Sequence, residues 1–170
     1  MAQDAGTTGV GAGLQTPSPI GTMRVDLTYQ GGKAFEAVLK NEDRSFQVQI
    51  DEPTSRGGQS QGVWPLGYFV TGAASCLAMQ YINVIRDEGI TGVDNIKMLA
   101  RAHNDRQAHI FTDMIFQVSL TGSISKERAE TLARAASDRC YVENTLVKAI
   151  PLTTEVELNG EKIATLSRHP

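Results

Sequence analysis

Cysteine is scarce in this sequence, with Cys76 and Cys140 the only two in 170 residues. Small secreted scaffolds held by disulfides carry more, at closer spacing, so a disulfide framework is excluded. An excess of positive charge is lacking too. Sixteen Lys and Arg stand against nineteen Asp and Glu, a formal net charge of -3. Nucleic-acid binders present a basic face or stripe, so no nucleic-acid partner is expected. Met1 to Thr22 shows no basic start followed by an apolar run, and no secretory leader is expected there. One apolar stretch, Leu66 to Ile85, is long enough to span a bilayer. Thr71, Ser75, Gln80 and Asn83 interrupt it and no second stretch follows, which favours a helix in a soluble core over a membrane partner. The expectation is a cytoplasmic protein. A lasting structural disulfide is disfavoured in that compartment, which leaves two readings for the cysteines: inert core residues or reactive thiols.

What is present fits one domain. Met1 to Thr22 is rich in Gly, Thr, Ala, Ser and Pro without apolar periodicity, and is expected to be a disordered tail. A single domain over 23–170 follows, with 41% hydrophobic residues to build its core. Val25, Leu27 and Tyr29 alternate, as do Phe46, Val48 and Ile50. With Phe35 to Leu39 between them they predict an antiparallel three-strand meander. Asp51 to Val63 is a long loop holding Pro53, Gly57, Gly58 and Gly62. Pro65 suits the first turn of a helix running to about Glu88 and stopping near Gly89. Gly72, Ala73, Ala74, Ser75 and Ala78 keep the middle of that helix slim. Val93 to His103 and Ile110 to Leu120 alternate as two further strands. Ser125 caps a second helix, whose Ala129, Leu132, Ala133, Ala136 and Cys140 recur at helical spacing. One more helical turn is expected near Asn144 to Ala149, then strands at Thr153 to Leu158 and Lys162 to Leu166. The order of elements is α+β.

That order, with its motifs, resembles the OsmC/Ohr family. Asp51-Glu52-Pro53, Gly57-Gly58 and Pro65 lead into a helix containing Gly72-Ala73-Ala74-Ser75-Cys76. Ala136-Ser137-Asp138-Arg139-Cys140-Tyr141-Val142 is similar to the family's second cysteine motif. The likeness runs from about Arg24 to Leu158. It implies antiparallel sheets around a long central helix in an intertwined homodimer. It also implies that the cysteines meet near the subunit interface and reduce organic hydroperoxides. Cys76 would be the attacking thiol and Cys140 the resolving one, with an external dithiol as reductant and no cofactor or metal.

Several residues bear on that chemistry. Peroxide reduction needs a thiolate, so a cation or a hydrogen bond near Cys76 would help. The family's peroxidase branch has a Glu ten residues before the first cysteine, holding an Arg that follows a Gly-Gly pair. Here those positions are Leu66 and Lys33. Lys lacks the planar fork of Arg and is not an equivalent partner. Lys33, Glu52 and Gln80 are candidate supports for Cys76, Gln80 lying one helical turn beyond it. Trp64 and Tyr68 line an apolar pocket or pack the start of the helix. His103 and His109 flank a turn but lack a third clustered metal ligand. Glu143, close after Cys140, disfavours a thiolate there. Loss of the carboxylate at Leu66 leaves a second functional reading open, a non-catalytic small-molecule binding protein on the same dimeric scaffold.

Overall fold

The computed structural model describes residues 23–41 and 44–170; the expected tail over 1–22 lies outside them. The chain opens with three antiparallel strands, β1 (Arg24–Gly31), β2 (Ala34–Asn41) and β3 (Arg44–Ile50), forming one sheet in sequence order. Their register makes this sheet two-sided. Val25 pairs with Leu39 and Leu39 with Phe46; Leu27 with Ala37 and Ala37 with Val48; Tyr29 with Phe35 and Phe35 with Ile50. Directly paired residues share a face, so these nine side chains make one apolar face. The other face carries Arg24, Asp26, Thr28, Glu36, Lys40, Ser45, Gln47 and Gln49 around Val38. The apolar face is largely uncovered by its own chain: Val25, Leu27, Tyr29 and Phe46 are each more than half exposed.

A loop with one 3-10 turn, Thr54–Arg56, leads from β3 to α1 (Pro65–Asp87). The Asp51 carboxylate organises this loop by accepting the backbone N–H groups of Gln59 at 2.9 Å and Gln61 at 3.1 Å. The Gln61 N–H is the main cause that holds its pKa below the usual carboxylate value. Gly58 is required here on steric grounds, since a Cβ would lie 1.8 Å from the Glu52 carbonyl oxygen. Pro65 starts α1 as expected.

The second sheet has order β4-β5-β6-β7, with β4 (Val93–Asp105), β5 (Ile110–Gly122), β6 (Leu152–Leu158) and β7 (Glu161–Arg168). β5 and β6 run parallel and the other neighbours antiparallel. A parallel neighbour needs a crossover, and α2 (Lys126–Arg139) with α3 (Tyr141–Leu146) supplies it. Alternation then sorts the sheet: Met114, Phe116, Val118 and Leu120 of β5 with Leu152 and Val156 of β6 are buried. Gln117, Ser119, Glu155 and Glu157 face the other way in a polar lattice, Gln117 Nε2 donating to Glu155 Oε2 at 3.0 Å. α2 contributes Ala129, Leu132, Ala133, Ala136 and Ser137 to the core, a stripe at i, i+3, i+4, i+7 and i+8. Ser125 caps it, its side chain accepting the Arg128 N–H.

α1 is long and apolar enough by length and composition to cross a membrane. In this fold it is the core helix, burying Ala73, Leu77, Tyr81 and Val84 against α2 and the second sheet. Its opposite side leaves Met79 and Ile82 exposed, and near its start the partly exposed Phe69 stacks on Phe111 with ring centroids 5.0 Å apart. The architecture is α+β, as expected, and the element boundaries fall within two or three residues of the sequence reading.

Candidate functional site

Cys76 and Cys140, 64 positions apart in sequence, are brought together with their Sγ atoms 3.5 Å apart. Cys76 lies in the slim middle of α1, half-buried, between the buried Ala73 and Leu77 and the exposed Ser75 and Met79. Cys140 is fully buried at the junction of α2 and α3, where an extended backbone (φ -79, ψ 111) ends one helix and begins the next. Its N–H donates to the Ser137 carbonyl at 3.1 Å and its carbonyl accepts the Asn144 N–H at 2.9 Å. The sulfur is therefore fixed from both sides by helix ends. Arg139 adds ion pairs to Glu88 at 2.8 Å and Asp87 at 3.5 Å, fastening this junction to the C-terminal end of α1.

The two thiols have different surroundings. Burial pushes the Cys140 thiol up to about 12, opposed by the Glu143 backbone N–H and reinforced by Cys76 and the Glu143 charge. Cys140 is thus held as the protonated thiol, and Cys76 is the more accessible of the two sulfurs. Behind the pair stands the buried carboxyl of Glu143. It accepts hydrogen bonds from Ser137 Oγ at 2.6 Å and Thr154 Oγ1 at 3.0 Å, with Arg168 Nη1 3.8 Å away. Burial nonetheless raises its pKa. Arg168 is itself oriented by the Asn144 side-chain oxygen at 2.7 Å. Tyr81 completes the group, its buried hydroxyl without a hydrogen-bond partner among the described residues.

The other residues singled out in the sequence are elsewhere in the chain. Lys33 Nζ donates to the Arg56 carbonyl, in the loop before α1. The Arg56 guanidinium lies over the Trp64 ring, 4.4 Å from its centroid. Tyr68 donates its hydroxyl to the Gln49 carbonyl at 3.0 Å. Trp64 and Tyr68 thus pack the start of α1 against the loop and β3. Lys33, Glu52, Arg56, Leu66, Ile110 and Phe111 line a separate open cavity of about 570 Å³. Ten helical residues separate Leu66 from Cys76, about 15 Å of axis. The structure therefore does not bring Lys33 or Glu52 of the same chain to Cys76. Gln80 sits on the cysteine side of α1, half-buried, with its Oε1 3.4 Å from Asn83 Nδ2. His103 pairs with Asp113 at 2.6 Å on the β4–β5 hairpin, and His109 lies at the turn in the left-handed region (φ 56). No cluster of three His, Cys, Asp or Glu ligands occurs among the described residues.

In the sequence Glu143 stands out only as a neighbour that disfavours a thiolate at Cys140, and no local pattern marks Ser137, Thr154, Arg168 and Tyr81 as its surroundings. Helical spacing places Tyr81 on the buried face of α1, and Ser137 falls on the buried stripe of α2. Nothing local marks Arg168, which arrives from the last strand.

The family model for OsmC-like protein matches residues 57–155, a span that includes both cysteines. No curated protein sequence matches the chain. Among solved structures, an OsmC-like protein from Mycoplasma pneumoniae is 17% identical, with a TM-score of 0.69 over 81% of this chain and 97% of its own. An organic hydroperoxide resistance protein from Elizabethkingia anophelis is 18% identical, with a TM-score of 0.67 over 84% of this chain and 100% of its own. The organic hydroperoxide resistance protein of Bacillus subtilis is 20% identical, with a TM-score of 0.56 over 81% and 98%. At such identities the likeness is one of fold.

Proposed function

Since the chain belongs to the OsmC-like protein family, we propose that it is a thiol-dependent peroxidase that reduces organic hydroperoxides through Cys76 and Cys140. The observation that carries this reading is the 3.5 Å approach of two sulfurs in unequal environments. The Cys76 thiolate attacks the outer oxygen of a hydroperoxide, breaking the O–O bond and forming sulfenic acid, while the alkoxide leaves as an alcohol. Cys140 then attacks the sulfenic sulfur, forming a disulfide and releasing water. An external dithiol reduces the disulfide by exchange, and the cycle closes without a cofactor. Organic rather than inorganic peroxide suits the apolar faces near the site, and the reducing cytoplasm suits thiols that must be restored.

The working unit in this proposal is a homodimer. The uncovered apolar face of the β1–β3 sheet and the exposed Met79 and Ile82 of α1 support it. An apolar sheet face and a half-apolar core helix both need covering, and a second copy offers the same pair of surfaces. A partner chain is also the remaining source of a group to replace the family carboxylate, since Leu66 and Lys33 lie far from Cys76 within the chain.

The test is stopped-flow oxidation of the reduced protein by cumene hydroperoxide, with free thiols counted before and after. Loss of two thiols per chain, abolished in Cys76→Ser, is expected. Thiols that stay reduced would overturn the peroxidase reading. They would favour a small-molecule binding protein, for which the cavity beside Leu66, Ile110 and Phe111 is the place to look.

A further inference from the structure

Glu143 is 1% exposed, yet it carries an ionisable group. A hydroxyl from α2 (Ser137), a hydroxyl from β6 (Thr154) and a guanidinium from β7 (Arg168) converge on its carboxyl. Burying a carboxylate is costly even when it is paired, and an apolar cluster in place of the whole group would serve the core at least as well. A carboxyl kept there beside a buried thiol points to a use.

The use follows from what Cys140 must do. Its sulfur attacks as a thiolate, but burial keeps it a thiol, so the proton needs an acceptor at the moment of attack. The groups around the carboxyl and the sulfur can be taken in turn. Tyr81, on α1, is a buried phenol held neutral by its surroundings. Arg168 is a cation. Asp138 is exposed, and its charge acts on Glu143 from the solvent side. Cys76 is the reaction partner. Glu143 is the one buried base beside Cys140 among the described residues. Glu143 lies three residues after Cys140, in the first turn of α3, and its charge acts on both Cys140 and Tyr81.

We propose that Glu143 accepts the Cys140 thiol proton as that sulfur attacks Cys76, and that Ser137, Thr154 and Arg168 hold its carboxylate ready to do so. With sulfenic acid at Cys76, the S–S bond forms as the S–O bond breaks. The Cys140 sulfur is oxidised and the Cys76 sulfur reduced, and the thiol proton passes through Glu143 to the departing hydroxide, giving water. With a mixed disulfide at Cys76, the old S–S bond breaks instead, the leaving thiolate departs with its electron pair, and the proton stays on Glu143. Proton transfer to Glu143 also removes the negative charge that would oppose a thiolate at Cys140.

In the peroxide cycle this step rests on the function proposed above, but Ellman's reagent tests it without peroxide. Cys76 releases the first nitrothiobenzoate, and Cys140 releases the second by closing the disulfide. In Glu143→Gln the first release is expected unchanged and the second slowed about a hundredfold, the usual scale for loss of a positioned base. In the parent protein the second release is expected to fall as Glu143 is protonated at acid pH. Thr154→Val, which keeps the base but removes a hydrogen bond favouring its ionised form, is expected to move that acid limb to higher pH. Thr154→Val also serves if Glu143→Gln fails to fold. An unslowed second release in Glu143→Gln, an unmoved limb in Thr154→Val, or a parent chain that releases only one equivalent would overturn the proposal. Normal exchange with no consumption of cumene hydroperoxide would sink the peroxidase reading and leave this one standing.

Discussion

Closing the Cys76–Cys140 disulfide should stabilise the protein by an amount the topology sets. The two sulfurs are 64 positions apart, so the bond closes a long loop and removes much conformational freedom from the unfolded chain. For a loop of that size the chain-entropy relation gives about 4 kcal/mol at 25 °C. The sulfurs must still move from 3.5 Å to a bond length of about 2.0 Å. That movement falls at a helix junction with extended backbone rather than within a helix, which limits the strain. With a urea m-value of ~2 kcal/mol/M, the oxidised protein should unfold about 2 M later than the reduced one. The comparison is made at one protein concentration, because subunit association would itself shift the midpoint. Non-reducing electrophoresis must show the bond to be within one chain. Equal midpoints for reduced and oxidised protein, or a bond formed only between chains, would refute the placement of the two sulfurs.

Two further predictions concern the surroundings. Glu143 is held above its ordinary value of 4.5 chiefly by burial, so the stability it confers is fully present below the unfolded value and is lost as pH rises through the folded one. Urea midpoints from pH 5 to pH 8 should therefore move in favour of Glu143→Gln relative to the parent, and parallel curves would contradict this. Gly58→Ala should destabilise by about 2 kcal/mol, the scale of overpacking a tight site, because its Cβ would press on the Glu52 carbonyl; an unchanged thermal midpoint would show that the loop yields freely.

The elements were legible because each writes its period into the sequence. Val25, Leu27 and Tyr29 gave the strand period, Ala129, Leu132, Ala133 and Ala136 the helical one, and Pro65 and Ser125 marked helix starts. The approach of the two sulfurs was not written in any period. It was expected from family resemblance alone, because pairing across 64 positions depends on how α2 packs on α1. The surroundings of Glu143 were less legible still. Ser137, Thr154 and Arg168 come from three separate elements, and a polar residue on a buried stripe looks locally like any other. Lys33 and Glu52 keep their expected motif neighbours, but the length of α1 puts their loop about 15 Å of helix axis from the Cys76 of the same chain, and no local pattern reports which chain's cysteine such a loop serves.

In the proposed peroxidase cycle, the division of labour between the cysteines follows from where the chain puts them. The half-buried thiol in the middle of α1 is the one that meets peroxide. A thiol at a helix junction sealed by core residues does not, and is kept protonated by the same burial. That burial protects Cys140 from oxidation but leaves it unable to attack without help. A buried thiol as the second sulfur therefore requires a buried base, and the core around Cys140 contains one in Glu143. An apolar cluster in place of Glu143 and its polar partners together would serve the core at least as well, but in the proposed cycle it would leave the sulfenic acid at Cys76 longer exposed to further oxidation. In the proposed cycle the hydroxyls of Ser137 and Thr154 serve the chemistry of Cys140, by holding the Glu143 carboxyl that accepts its proton.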